Sequence, residues 1–82
     1  MLLIIIMPKA YILFNTVPEA EDELLQELRD TQGVIAADSV YGIYDFVAIV
    51  EAESLEEIKE IITWKLRRLK DVKSSVTLMT VN

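Results

Sequence analysis

The 82-residue sequence contains no cysteine and no histidine, and it has only two glycines. Without cysteine there is no disulfide to stabilise a small fold, and without either residue type the usual zinc ligands are missing. Acid–base catalysis near neutral pH most often uses histidine, and no thiol is present to act as a nucleophile. The isolated glycines form neither a phosphate-binding loop nor a dinucleotide fingerprint. The composition therefore predicts a protein that is not an enzyme and that holds no metal or cofactor.

Positive charge is also scarce. Lysine and arginine number 8 against 14 acidic residues, which gives a formal net charge of −6. Nucleic-acid binding depends on clusters of basic residues that neutralise phosphates, so this balance argues against direct DNA binding. The one basic run comprises Lys65, Arg67, Arg68 and Lys70. It falls at the predicted end of a helix, where positive charge is favourable without any ligand.

Apolar residues, in contrast, are abundant and make up 52% of the chain. A chain of this length buries only part of its surface and is marginally stable alone. It has more apolar surface than one small core can hide. The simplest outlet is a contact with another protein chain, so the composition predicts an oligomer.

The N-terminal segment, residues 1–7, is apolar but far shorter than the roughly 20 residues that cross a membrane. It lacks the basic start and the cleavage site of a secretion signal. We therefore expect either a disordered leader or an extension of the first strand, with Met7 as an alternative start. Residues 8–82 are predicted to form one domain. The lack of cysteine and of an export signal predicts a cytoplasmic location.

The apolar pattern predicts an alternation of strands and helices. Alternating apolar residues indicate four strands, at 9–15, 34–41, 44–52 and 72–81. Two capping boxes, Thr16 with Glu19 and Ser54 with Glu57, indicate the starts of two helices. The resulting order, βαββαβ, predicts an α+β ferredoxin-like fold, in which a four-stranded antiparallel sheet carries both helices on one face. The other face would carry apolar side chains, so a second copy is expected to pack against it.

The turn at residues 41–45 and two hydroxyl residues of the last strand together have features of a ligand site. Gly42 lies in the turn between the second and third strands, where it lets a ligand approach the backbone. Asp45 can accept hydrogen bonds from an ammonium group. Ser75 and Thr77 are two residues apart on the last strand, so their hydroxyls point to the same side. These groups suit a zwitterion such as an amino acid, although a glycine beside an aspartate is also ordinary turn chemistry.

Three segments resemble the ligand-binding domain of the Lrp/AsnC transcription regulators, also called the RAM domain. Residues 7–16 are similar to its opening strand, and residues 40–45 contain its signature turn, Gly-x-Tyr-Asp. Residues 72–77 are similar to its closing strand, where Thr-x-Thr is common; here Ser75 replaces the first threonine. The resemblance extends over residues 7–81.

This resemblance implies a dimer formed by packing sheet against sheet, of the dimeric α/β-barrel type. Such dimers often assemble by fours into a ring-like octamer, and an amino-acid effector binds between dimers near the signature turn. Carried over to this chain, the ligand-binding residues are Gly42, Tyr44, Asp45, Ser75 and Thr77. Full regulators also carry a helix-turn-helix, which this sequence does not contain. The resemblance is therefore to the stand-alone members, whose expected partners are a free amino acid and a full-length Lrp/AsnC regulator rather than DNA.

Three other interpretations remain. An ACT-type regulatory domain has the same topology and also binds amino acids, but it pairs its sheets side by side. The Gly-x-Tyr-Asp turn favours the Lrp/AsnC family over it. A purely structural assembly partner is a further alternative. An enzyme such as an acylphosphatase would need an arginine in a glycine-rich loop after the first strand, where this chain has residues 15–18 without either.

Overall fold

The computed structural model describes residues 7–80. Its elements follow the order β1 (Lys9–Thr16), α1 (Glu21–Asp30), β2 (Val34–Ser39), β3 (Phe46–Glu51), α2 (Leu55–Ile61), a π-helical segment (Ile62–Leu66) and β4 (Val72–Met79). The strands form one antiparallel sheet in the order β2-β3-β1-β4. The predicted ferredoxin-like α+β fold is thus confirmed. Most of the predicted leader, residues 1–6, and the predicted end of the last strand at residue 81 lie outside the described residues.

The core lies between the sheet and the two helices. Strand residues alternate between the two faces of a sheet, and on the helix-facing side every second residue of β1 and β3 is buried. Ile12 lies opposite Ala48, and Phe14 lies opposite Phe46. The helices close this core with Leu24, Leu28, Ile58, Ile62 and Leu66. Among residues 7–80, no helix has the length and apolar composition needed to span a membrane.

The opposite side of the sheet, here called the open face, is also apolar. It is formed by Tyr11, Leu13, Val47, Ile49, Val76 and Leu78, which alternate with the core residues of β1, β3 and β4. Leu13 pairs with Val47 on one side and with Val76 on the other, so these side chains form a continuous surface. Tyr11, Val76 and Leu78 are 37, 40 and 54% exposed. No helix from the described part of the chain covers them.

The start of α1 differs from the sequence prediction. Thr16 does not cap a helix, because it belongs to β1 and its backbone N–H donates to a carboxylate oxygen of Asp45 at 2.9 Å. The helix begins at Glu21, and its N-cap residue Ala20 makes no side-chain capping bond. Glu19 bridges the two elements with a positive φ of 73°. The predicted capping box at Thr16 is therefore wrong, because Thr16 is the last residue of β1 and its N–H forms a long-range hydrogen bond with Asp45.

The predicted cap at Ser54 is confirmed, because its hydroxyl accepts a hydrogen bond from the Glu57 N–H at 3.2 Å; the reciprocal bond from the Ser54 N–H to the Glu57 side chain does not form among residues 7–80. Strands β2 and β3 are both shorter than predicted. β2 ends at Ser39 and β3 begins at Phe46, which leaves residues 40–45 as a six-residue link. This link carries the signature turn.

α2 widens into the π-helical segment for a packing reason. The buried residues Ile58, Ile62 and Leu66 follow one another at intervals of four. In an ordinary α-helix, a residue four positions ahead lies about 40° past a full turn, so such a stripe drifts away from the core. The wider turn, closed by a 2.9 Å bond from the Arg67 N–H to the Ile62 carbonyl, corrects this drift. It thereby keeps Leu66 buried.

We predict that Gly33→Ala lowers the free energy of unfolding by roughly 1–3 kcal/mol. Gly33 follows α1 with a φ of +98°, and an added Cβ would lie 2.5 Å from Cδ1 of Ile61. Gly42 has a φ of +124° but no heavy atom within 4 Å of such a Cβ. Gly42→Ala is the matched control and should cost slightly less: both positions strain the backbone of an alanine, and only Gly33→Ala must also displace the flexible Cδ1 end of Ile61. Urea denaturation measures both, and equal losses would show that contact with Ile61 is unimportant.

Candidate functional site

The β2–β3 link projects from the sheet as an exposed turn. Tyr41 and Ile43 are almost fully exposed, and Gly42 between them adopts a left-handed backbone conformation. The base of the link is closed by a hydrogen bond from the Val40 N–H to the Asp45 carbonyl at 3.0 Å. The turn thus presents its backbone to solvent from a fixed base.

Asp45 fixes this base to the end of β1. Its N–H donates to the Phe14 carbonyl at 2.8 Å. Its side-chain Oδ2 accepts from the Thr16 N–H at 2.9 Å and lies 3.5 Å from the Thr16 hydroxyl. Thr16 is only 6% exposed, so this carboxylate oxygen satisfies an amide that water reaches poorly. Within residues 7–80, Oδ1 makes no hydrogen bond and remains available to a ligand.

A cavity of about 360 Å³, here called the turn cavity, lies beside this base. It is lined by Glu21, Asp22, Ser39, Val40, Tyr41, Asp45 and Phe46. Its volume falls within the range of about 300–1,000 Å³ that is typical of small-molecule sites. Three carboxylates line it and no basic residue does, so it suits a positively charged group.

Sequence reasoning missed the contribution of α1 to this cavity. Glu21 and Asp22 lie in the first turn of α1, where the positive end of the helix dipole favours acidic residues without any ligand. No local pattern indicates that the first turn of α1 lies beside the β2–β3 link. That proximity arises because β1, which precedes α1, pairs with β3.

The two predicted hydroxyl residues lie elsewhere. Ser75 pairs with Phe14, and Thr77 pairs with Ile12, so both lie on the helix-facing side of the edge strand β4. β1 separates β4 from β3, and adjacent strands are about 4.8 Å apart. The five predicted residues therefore fall into two groups. Gly42, Tyr44 and Asp45 belong to the link, whereas Ser75 and Thr77 lie two strands away from the start of β3.

We predict that Asp45→Ala lowers the free energy of unfolding by about 1–3 kcal/mol, because it leaves the buried Thr16 amide without an acceptor. Asp45→Asn retains an acceptor oxygen and should cost less. Chemical denaturation of the two variants separates the hydrogen bond from the charge. If both variants were as stable as the wild type, Asp45 would have no structural role.

Comparisons with known proteins identify the family and the fold of the chain. Residues 9–82 match the family described as "Lrp/AsnC ligand binding domain". The solved structure of FFRP-DM1 is 31% identical, with a TM-score of 0.86, and the match covers 92% of this chain and 100% of that one. The hypothetical protein PHS023 from Pyrococcus horikoshii is 30% identical, with a TM-score of 0.87, and the match covers 93% of this chain and 92% of that one.

A third structure shares the fold at low identity. It is the complex of transcriptional regulator NMB0573 with L-Met, from Neisseria meningitidis. It is 12% identical with a TM-score of 0.80, and the match covers 92% of this chain but 50% of the regulator. This chain thus spans about half the length of that protein. No curated protein matches the sequence.

Proposed function

Because this chain belongs to the family of Lrp/AsnC ligand-binding domains, we propose that it is an oligomeric sensor of a small amino acid in a transcription-regulation system. The observation that carries the proposal is the position of Asp45. It anchors the Gly-x-Tyr-Asp turn through Oδ2 and leaves Oδ1 free beside a cavity with acidic walls. On this proposal the chain binds its effector and catalyses nothing.

An amino acid would be held by its two charged ends. Its ammonium group would lie in the turn cavity near Asp45, and the exposed backbone around Gly42 and Tyr44 would contact the rest of the molecule. Its carboxylate would accept hydrogen bonds from Ser75 and Thr77. Since these hydroxyls lie two strands away, they would come from a neighbouring copy, which would make the site complete only in an assembly. The L-Met complex of NMB0573 supports the idea that this fold accommodates an amino acid.

The open face supports a dimer in which two sheets pack face to face. Its apolar side chains would lie at the roughly 10 Å spacing of packed sheets. Burying them would remove from water the surface that the helices leave uncovered. Four such dimers forming a ring would bring turns and β4 strands of different dimers together. A full-length Lrp/AsnC regulator is the proposed partner that reads DNA, and a cytoplasmic location follows from that role.

We predict that Leu13→Lys converts the assembly to monomers, because it places a charge in the middle of the open face. Leu55→Lys is the matched control, since Leu55 is exposed at the start of α2, away from this face. Sedimentation velocity gives the mass of each variant, and circular dichroism checks the fold. An unchanged mass for folded Leu13→Lys would contradict the proposed dimer.

Effector binding is tested by a thermal-shift screen with the twenty amino acids, followed by sedimentation velocity with each hit. We expect one or a few amino acids to raise the Tm, since a ligand of the native state stabilises it by mass action, and to change the size of the assembly. Asp45→Asn should abolish the shift. Asp71→Asn removes the same charge from outside the turn cavity and should not.

A second candidate, assembly without any ligand, is favoured by the bond between Asp45 and Thr16, which gives the signature aspartate a structural purpose. The same screen decides between the two. If no amino acid changes the Tm or the size of the assembly, the effector proposal fails and the assembly role stands.

A further inference from the structure

A small cleft of about 230 Å³ lies between α2, the π-helical segment and β4. Its lining consists of Lys59, Ile62, Thr63, Arg67, Thr77 and Met79. These are two cations, two hydroxyls and two apolar side chains, with no carboxylate. We call it the α2–β4 cleft. It shares no residue with the turn cavity.

The polar groups of this cleft have no partners within the described part of the chain. The ion pairs among residues 7–80 are Lys9–Glu51 and Arg29–Asp38, so neither Lys59 nor Arg67 forms an ion pair there. The hydroxyls of Thr63 and Thr77 make no hydrogen bond to protein there. All four side chains therefore have donors free for a ligand.

No acidic residue of the same helix lines the cleft. Glu57 and Glu60 line a different groove, together with Glu51 and Glu53 from the end of β3 and the loop after it. Lys59, Thr63 and Arg67 are spaced four apart and border the cleft together. In a chain with 14 acidic and 8 basic residues, a concave site with two cations and no acid is unexpected on composition alone.

We propose that the α2–β4 cleft binds a small organic anion, a carboxylate on a short aliphatic chain. Lys59 and Arg67 contact the carboxylate with charge-assisted hydrogen bonds, and Thr63 and Thr77 donate to its remaining lone pairs. Ile62, which is 5% exposed, and Met79 contact the aliphatic chain. The volume lies below the roughly 300 Å³ at which small-molecule pockets usually begin, so the ligand is smaller than a nucleotide or a drug.

This inference goes beyond the proposed function, with which it shares Thr77 alone. The proposed effector needs an ammonium group, the turn and a second copy. The anion of the α2–β4 cleft needs none of these. A carboxylate without an ammonium group, combined with variants of Lys59 and Arg67, which the proposed effector site does not use, therefore tests the cleft separately from the effector site.

The test uses the full chain and the probe 4-methylpentanoate, with its neutral amide, 4-methylpentanamide, as the chemical control. Saturation-transfer NMR detects weak binding to an assembly of any size and yields Kd by titration. We expect the carboxylate to bind and the amide not to bind. The double variant Lys59→Gln/Arg67→Gln should weaken carboxylate binding at least about tenfold, since it removes both charge-assisted bonds.

The matched control is Arg68→Gln/Lys70→Gln, which removes the same residue types and charge from positions outside the cleft. It should bind as the wild type does. Equal binding of acid and amide, or an equal loss in the control variant, would overturn the proposal. So would a loss of carboxylate binding in Asp45→Asn, because binding would then depend on the β2–β3 link and not on the cleft. If Asp45→Asn abolishes an amino-acid response while this binding persists, the two sites are distinct.

Discussion

The two central strands carry apolar side chains on both of their faces, while the helices can cover only one. Ile12 and Phe14 of β1 are buried beneath the helices, whereas Tyr11 and Leu13, the alternate residues, lie on the open face. A sheet so built leaves an apolar surface in water unless another chain covers it. With no disulfide available, a chain of 82 residues has few other sources of stability. The proposed dimer and the effector site that depends on assembly both follow from this constraint.

Asp45 connects the central strands of the sheet to the turn of the proposed ligand site. Two hydrogen bonds of Asp45, from its N–H to the Phe14 carbonyl and from the Thr16 N–H to its carboxylate, join the β2–β3 link to the end of β1, one of the two central strands. The same residue borders the turn cavity. A change in the packing of the sheet can therefore reach the turn through these two hydrogen bonds, and on the proposed function a ligand at the turn would act on the sheet by the same route. This reciprocity is what a sensor that responds by changing its assembly requires.

Local patterns predicted the order and type of the elements because the apolar periodicity is strong. They failed at Thr16, which was predicted to cap a helix. Its backbone N–H donates instead to the distant Asp45 carboxylate, and the residue ends β1. They also missed the π-helical segment, since Ile58, Ile62 and Leu66 at intervals of four read as an ordinary amphipathic stripe. The turn was found in its predicted place. The separation of the turn from Ser75 by the intervening strand β1 was not predicted, because strand order is a property of the whole fold.

Urea unfolding of the wild-type protein over a hundredfold range of protein concentration tests whether a second copy covers the open face in the folded state. If folding and association are coupled, the unfolding midpoint rises steadily with protein concentration, because mass action favours the assembled state. A midpoint that stays constant over the whole range would mean that the monomer is stable with its open face in water. That result would rule out the proposed dimer.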